Sequence, residues 1–78
     1  MQVGVLVLSP KEVIFEGQAS SVKLPGEEGV FEVMPFHKRM LSRLISGIIF
    51  IDEQPFSIKR GIIKVDQNRV TIIIEEPE

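Results

Sequence analysis

Few side chains in this sequence could do bond chemistry. There is one histidine, His37, and there is no cysteine, tyrosine or tryptophan. A nucleophile–base–acid triad could be drawn from Ser9, Ser20, Ser21, Ser42, Ser46 or Ser57 with His37 and Asp52 or Asp66. No nucleophile elbow surrounds any of these serines, so the triad has no local support. A lone histidine among scattered carboxylates lacks the spacing of a zinc site. Glu27 and Glu28 are adjacent, and on an extended chain neighbouring side chains point to opposite sides, so they do not form a paired-carboxylate centre. Gly26 and Gly29 suggest a phosphate-binding loop, but no lysine follows at the required position and two glutamates would repel a phosphate. Lys38 stands near mid-chain, where a biotin or lipoate carrier displays its modified lysine, but His37-Lys38-Arg39 does not match the carrier contexts Met-Lys-Met or Asp-Lys-Ala. The expectation is therefore no catalytic residue, no cofactor and no metal.

The elements that would hold these residues are short β-branched bursts. Val3–Leu8 ends at Ser9-Pro10, and Val13–Phe15 closes at Glu16-Gly17. Val22 and Leu24 alternate with Ser21 and Lys23 before Pro25-Gly26, and Val30–Met34 stops at Pro35. Such runs, bounded by turn residues, read as strands. The His37–Ile45 segment is ambiguous: Met40, Leu41, Leu44 and Ile45 could line a helical face, but the segment is short and sits between Pro35 and Gly47, so turn and strand is the better reading. Ile48–Ile51, Phe56–Lys59, Ile62–Val65 and Val70–Ile74 complete the series. Asp66-Gln67-Asn68-Arg69 joins the last two as a hairpin, with Asn68 tolerating positive φ. The sum is an all-β fold, an antiparallel flattened sandwich or barrel of about eight to ten short strands.

Composition narrows the class. The chain has 78 residues, read as a single domain over 1–78, with a net charge of −2. A domain this small hides only about 60% of the surface of its unfolded chain, so a partner could complete its burial. The slight acidity argues against nucleic-acid binding, and an oligonucleotide-binding barrel would want a basic, aromatic face. Val3–Leu8 is too short an apolar run to span a bilayer or to serve as a secretory signal. The chain reads as cytosolic or cytosol-facing, meeting a membrane only through a partner.

The stretch Leu24-Pro25-Gly26-Glu27-Glu28-Gly29-Val30-Phe31-Glu32-Val33-Met34-Pro35-Phe36-His37 carries more information than composition does. It resembles the Leu-Pro-Gly-x-x-Gly-x-Phe-Gly-Val-Leu-Pro-x-His signature of the epsilon subunit of rotary ATP synthases. Ser9-Pro10 with Val13–Gly17, Gly47–Ile49, Gly61–Val65 and Asn68–Ile72 are similar to other parts of that family's N-terminal β-sandwich. Departures are Glu32 for the usual glycine, Lys38-Arg39 for a small residue and proline, and Arg60 for a second glycine. The family usually continues into two C-terminal helices that inhibit ATP hydrolysis and in some members bind ATP. That helical hairpin is absent from these 78 residues, which end in an acidic tail.

The resemblance implies a non-catalytic central-stalk role, coupling proton or sodium translocation to ATP synthesis or hydrolysis. The expected partners are the gamma subunit and the c-ring, on the cytoplasmic face of a bacterial inner membrane or its organelle equivalent. By position, Glu27, Glu28, Gly29 and Val30 match the loop facing the c-ring. Ser9, His37 and Ser42 match the gamma-facing side, while Phe36 and Met40 are anchors or core. The alternative function is a carrier domain with Lys38 as its attachment site.

Overall fold

The computed structural model describes residues 1–77. They form nine strands in chain order: β1 Val3–Leu8, β2 Val13–Ala19, β3 Val22–Gly26, β4 Gly29–Val33, β5 Met40–Leu44, β6 Gly47–Ile51, β7 Gln54–Ile58, β8 Arg60–Asp66 and β9 Arg69–Glu75. The all-β reading stands. The ambiguous segment is a loop over 34–39 followed by a strand.

Hydrogen bonding runs β2-β1-β9-β8-β5-β3-β6-β7, with β4 on the other edge of β3. The link between β5 and β3 is a single pair, Gly26 with Leu44. This one bridge divides the curled sheet into two layers, β2-β1-β9-β8-β5 and β4-β3-β6-β7. All pairings are antiparallel except β1 with β9, which run parallel from Gly4–Arg69 to Leu8–Ile73. At the far side the layers meet through Phe15 of β2 and Phe56 of β7, edge to face with centroids 5.9 Å apart. Such aromatic pairs contribute about 0.5–1.5 kcal/mol beyond their burial.

Alternation fills the space between the layers. Val3, Val5 and Val7 of β1, Val70, Ile72 and Ile74 of β9, and Ile63 and Val65 of β8 point inward from one sheet. Val22 and Leu24 of β3, Ile49 and Ile51 of β6, and Ile58 of β7 meet them from the other. Among the described residues no polar or charged side chain is buried. A close-packed aliphatic core of this kind resists deformation, because any shift opens voids that lose dispersion contacts.

Turn chemistry refines expectation at one place and departs from it at another. Pro25-Gly26 ends its strand from within: both residues pair in β3, with Val30 and Gly29, and the turn residues are Glu27 and Glu28. A Cβ on Gly26 would lie 2.8 Å from the Phe31 ring, so glycine is needed there as a floor for the aromatic and not as a pivot. The positive φ of this hairpin falls on Gly29, at 124°. Glu16-Gly17, by contrast, does not close β2, which continues to Ala19 alongside β1. The β8–β9 turn follows expectation: Gln67 and Asn68 both have positive φ, 50° and 58°. That mirror-image turn matches the twist of the strands it joins.

Candidate functional site

The register assigns every turn to one of two poles. β3, β5 and β9 end at the same pole, because Gly26 pairs with Leu44, Leu44 with Gly61 and Gly61 with Ile74. The Glu27-Glu28 turn and the Ser9–Glu12 turn lie there. The loop over 34–39, the Gln67-Asn68 turn, the Asp52-Glu53 turn and the chain start lie at the opposite pole. The six residues of β1 that separate the two span about 20 Å at roughly 3.3 Å per residue.

Of the residues singled out in the sequence, Glu27, Glu28, Gly29 and Val30 come together at the first pole. Glu27, Glu28 and Gly29 are exposed, and Val30 is 77% exposed. The hairpin is rooted rather than loose: Phe31 packs on the core, and the Ile45 N–H donates to the Pro25 carbonyl at 2.9 Å. Two carboxylates thus stand at a stiff tip beside an apolar side chain.

Ser9, His37 and Ser42 are not brought together. Ser9 sits at the pole of the glutamates. Its hydroxyl accepts from the Lys11 and Glu12 amides at 3.3 and 3.2 Å, so it organises its own turn. Ser42 lies in mid-strand on β5, half-buried opposite Ile63, with its hydroxyl donating to the Arg43 carbonyl at 3.3 Å. His37 belongs to the second pole, half-buried, with Nδ1 donating to the Lys38 carbonyl at 2.8 Å. A carbonyl can only accept, so this bond requires a proton on Nδ1. Lys38 lies in the same loop and not in a two-residue hairpin turn of the kind that displays a carrier lysine.

The 34–39 loop is held by a residue remote in sequence. Asn68 Oδ1 accepts from the Phe36 amide at 2.8 Å, while its Nδ2 donates to the Gln2 carbonyl at 2.9 Å. The Asn68 carbonyl in turn accepts from the Gly4 amide at 3.2 Å, and the His37 amide donates to the Met34 carbonyl at 3.1 Å. Phe36 is fixed by this set at φ 64°. For a bulky residue that conformation costs about 1–2 kcal/mol. Despite its size, the Phe36 side chain is 66% exposed. Arg39 pairs with Asp66 at 3.3 Å, and both are exposed enough that the pair adds little. A matching clamp at the same pole joins Asp52, whose carboxylate accepts from the Ser20 and Ser21 amides at 2.8 and 3.2 Å.

One surface was missed in the sequence. On the outer side of the five-stranded layer, Leu8 is beside Ile73, Ile73 beside Ile62, and Ile62 beside Arg43. Leu6 and Leu41 lie on the same outer face, with Thr71 and Lys64 respectively beside them. A shallow groove of about 520 Å³ runs past Ile62 and Ile73, flanked by Arg43, Arg60 and Glu75. The signal was available in Ile62-Ile63 and Ile72-Ile73-Ile74: consecutive apolar residues on a strand place apolar groups on both faces, as in sheets covered on both sides. Contiguous exposed apolar patches of this kind mark interaction surfaces.

Among the described residues, no three of His, Cys, Asp and Glu are grouped so as to hold a metal ion. The fold and its surfaces define a two-layer β domain with an acidic tip, a strained aromatic loop and an exposed apolar face. Residues 2–78 match the family described as ATP synthase, Delta/Epsilon chain, beta-sandwich domain, and the chain belongs to that family. It is 36% identical over 74 residues to the ATP synthase epsilon chain of Sulfurimonas denitrificans, covering 88% of this chain and 57% of that one. It is 30% identical over 78 residues to the epsilon chain of Rickettsia typhi, covering 91% and 71%. The chain therefore spans somewhat more than half the length of several curated relatives. Solved structures share the fold. A chain from the central stalk and c-ring of the Tetrahymena thermophila mitochondrial ATP synthase superposes with a TM-score of 0.84 at 15% identity, over 97% of this chain and 65% of that one. A chain from the Euglena gracilis mitochondrial ATP synthase gives 0.87 at 20% identity, over 96% and 51%.

Proposed function

We propose that this domain is a non-catalytic linker in the rotor of an ATP synthase, binding the c-ring with one pole and the gamma subunit with the other end and flank. The observation that carries this reading is the separation of the acidic Glu27–Val30 tip from the His37 loop by a rigid aliphatic core. A body that couples ion-driven rotation of a ring to a stalk must transmit torque between two contacts without yielding, and close packing provides that stiffness.

Glu27 and Glu28 would face basic polar loops of the ring, with Val30 as the apolar member of the contact. Each exposed ion pair contributes only ~0–1 kcal/mol, so the acids set orientation more than affinity. On the gamma side, His37 stands in the loop that leads into β5 and Ser42 lies within β5, whose outer face carries Leu41. Ser9 lies at the ring-side pole, so a partner touching all three residues must run most of the length of the sandwich. The coupled ion would be a proton or sodium, and the complex would sit on the cytoplasmic face of a bacterial inner membrane or its organelle counterpart.

Mixing the chain with its cognate gamma subunit and separating by size tests the reading. Co-elution at micromolar concentrations is expected, whereas separate elution at all accessible concentrations would overturn the gamma contact.

A further inference from the structure

The Met34–Arg39 loop combines features that a solvated connector does not need. Phe36 is large, 66% exposed and held at φ 64°. Relaxing it to an ordinary conformation would also release its amide from Asn68 Oδ1. Both polar ends of the Asn68 side chain are occupied, tying the Phe36 amide to the Gln2 carbonyl across the chain start. Strain maintained by surrounding structure, on a side chain turned to solvent, is a mark of a binding position. The neighbours supply a charge pattern. Lys38 and Arg39 follow, and Asp66 is the carboxylate paired with Arg39. Met34, 54% exposed, adds apolar surface two residues before. An exposed aromatic on a fixed backbone, with the Lys38 cation two residues on, fits an apolar pocket with an acidic group at its rim, the arrangement of an interface anchor.

We infer that Phe36 is the anchor by which this pole engages the gamma subunit, and that Asn68 is the positioning residue that presents it. The inference rests on the docking reading above and adds which residue dominates that contact. Phe36 enters an acid-rimmed apolar pocket on the gamma surface, already in its bound conformation, so little ordering remains to be done on association. Asn68 acts only through Phe36.

The test is a double-mutant cycle on the full chain, titrating cognate gamma subunit by calorimetry and following thermal unfolding of each variant alone. Phe36→Gly removes the anchor and the strain together, so unfolding stays at the same temperature or rises while affinity falls by about 30-fold or more, the size expected of an anchor residue. Asn68→Gly keeps the positive φ but removes the clamp. Its affinity falls several-fold when Phe36 is present and is unchanged in the Phe36→Gly background. Wild-type affinity retained by Phe36→Gly overturns the anchor and leaves gamma docking intact. An equal loss from Asn68→Gly in both backgrounds overturns the positioning role. Absence of binding by the unaltered chain overturns the docking reading itself, and the anchor with it.

Discussion

Gly26→Ala should loosen the acidic hairpin through one contact. The backbone at Gly26 does not have positive φ, so alanine meets no conformational penalty and the effect is steric. The added Cβ would lie 2.8 Å from two carbons of the Phe31 ring and 3.0 Å from the Gly29 carbonyl oxygen. Carbon atoms in good contact stand about 3.5–4.0 Å apart, so the ring must retreat by most of an ångström. It cannot do so freely because Phe31 packs against the buried core. Overpacking of this kind costs about 1–3 kcal/mol. At about 4–8 °C per kcal/mol for a domain of this size, Tm should fall by roughly 4–24 °C. Thermal unfolding followed by circular dichroism reads the change, and Phe31→Ala isolates its cause. In the Phe31→Ala background the ring is gone and only the 3.0 Å approach to the Gly29 carbonyl oxygen remains, so Gly26→Ala should cost much less. An equal Tm loss in both backgrounds would refute the steric argument. So would a Gly26→Ala cost below about 0.5 kcal/mol, the range of inconsequential surface changes.

Other expectations follow from the same contacts. Asp52→Ala removes the acceptor shared by the Ser20 and Ser21 amides and should lower the unfolding free energy in urea by about 1–3 kcal/mol, with Asp52→Asn losing much less because it keeps an acceptor oxygen. Ile63→Ala empties a fully buried site between the layers and should cost about 2–5 kcal/mol, enough to leave a small domain largely unfolded, as chemical denaturation would show. Charge reversal at Glu28 should leave Tm within a degree or so of the unaltered chain, because exposed charges contribute little to folding, while weakening co-sedimentation with isolated c-rings more than binding to gamma.

The strand series was legible because β-branched bursts and turn residues carry it locally. Asp66–Arg69 is the clearest case: Asn68 was expected to hold positive φ and does so, at 58°. The His37–Ile45 segment was ambiguous for a physical reason. Leu41 is apolar on the outer face, and with Met40, Leu44 and Ile45 it imitates helical spacing. Pro25-Gly26 was read as the end of a strand, and Gly26 is the last residue of β3, but glycine stands there under an aromatic ring and not as a pivot. The parallel pairing of β1 with β9 and the reach of Asn68 to Phe36 and Gln2 join residues far apart in sequence, and no local pattern reports them. The site was legible in part. Glu27–Val30 form one exposed tip, while Ser9, His37 and Ser42, grouped by resemblance, lie at one pole, at the other, and between them. The apolar outer face was written in the isoleucine runs Ile62-Ile63 and Ile72-Ile73-Ile74, which were read only as strands.

Position-specific cross-linking in the assembled complex tests the central claim most directly. A photoreactive residue is placed at Glu28 in one preparation and at His37 in another, and the adducts are identified by mass spectrometry. The account predicts that position 28 labels the c-ring and position 37 labels gamma. Labelling of the same subunit from both positions, or the reverse assignment, would contradict a linker that holds its two partners at opposite poles.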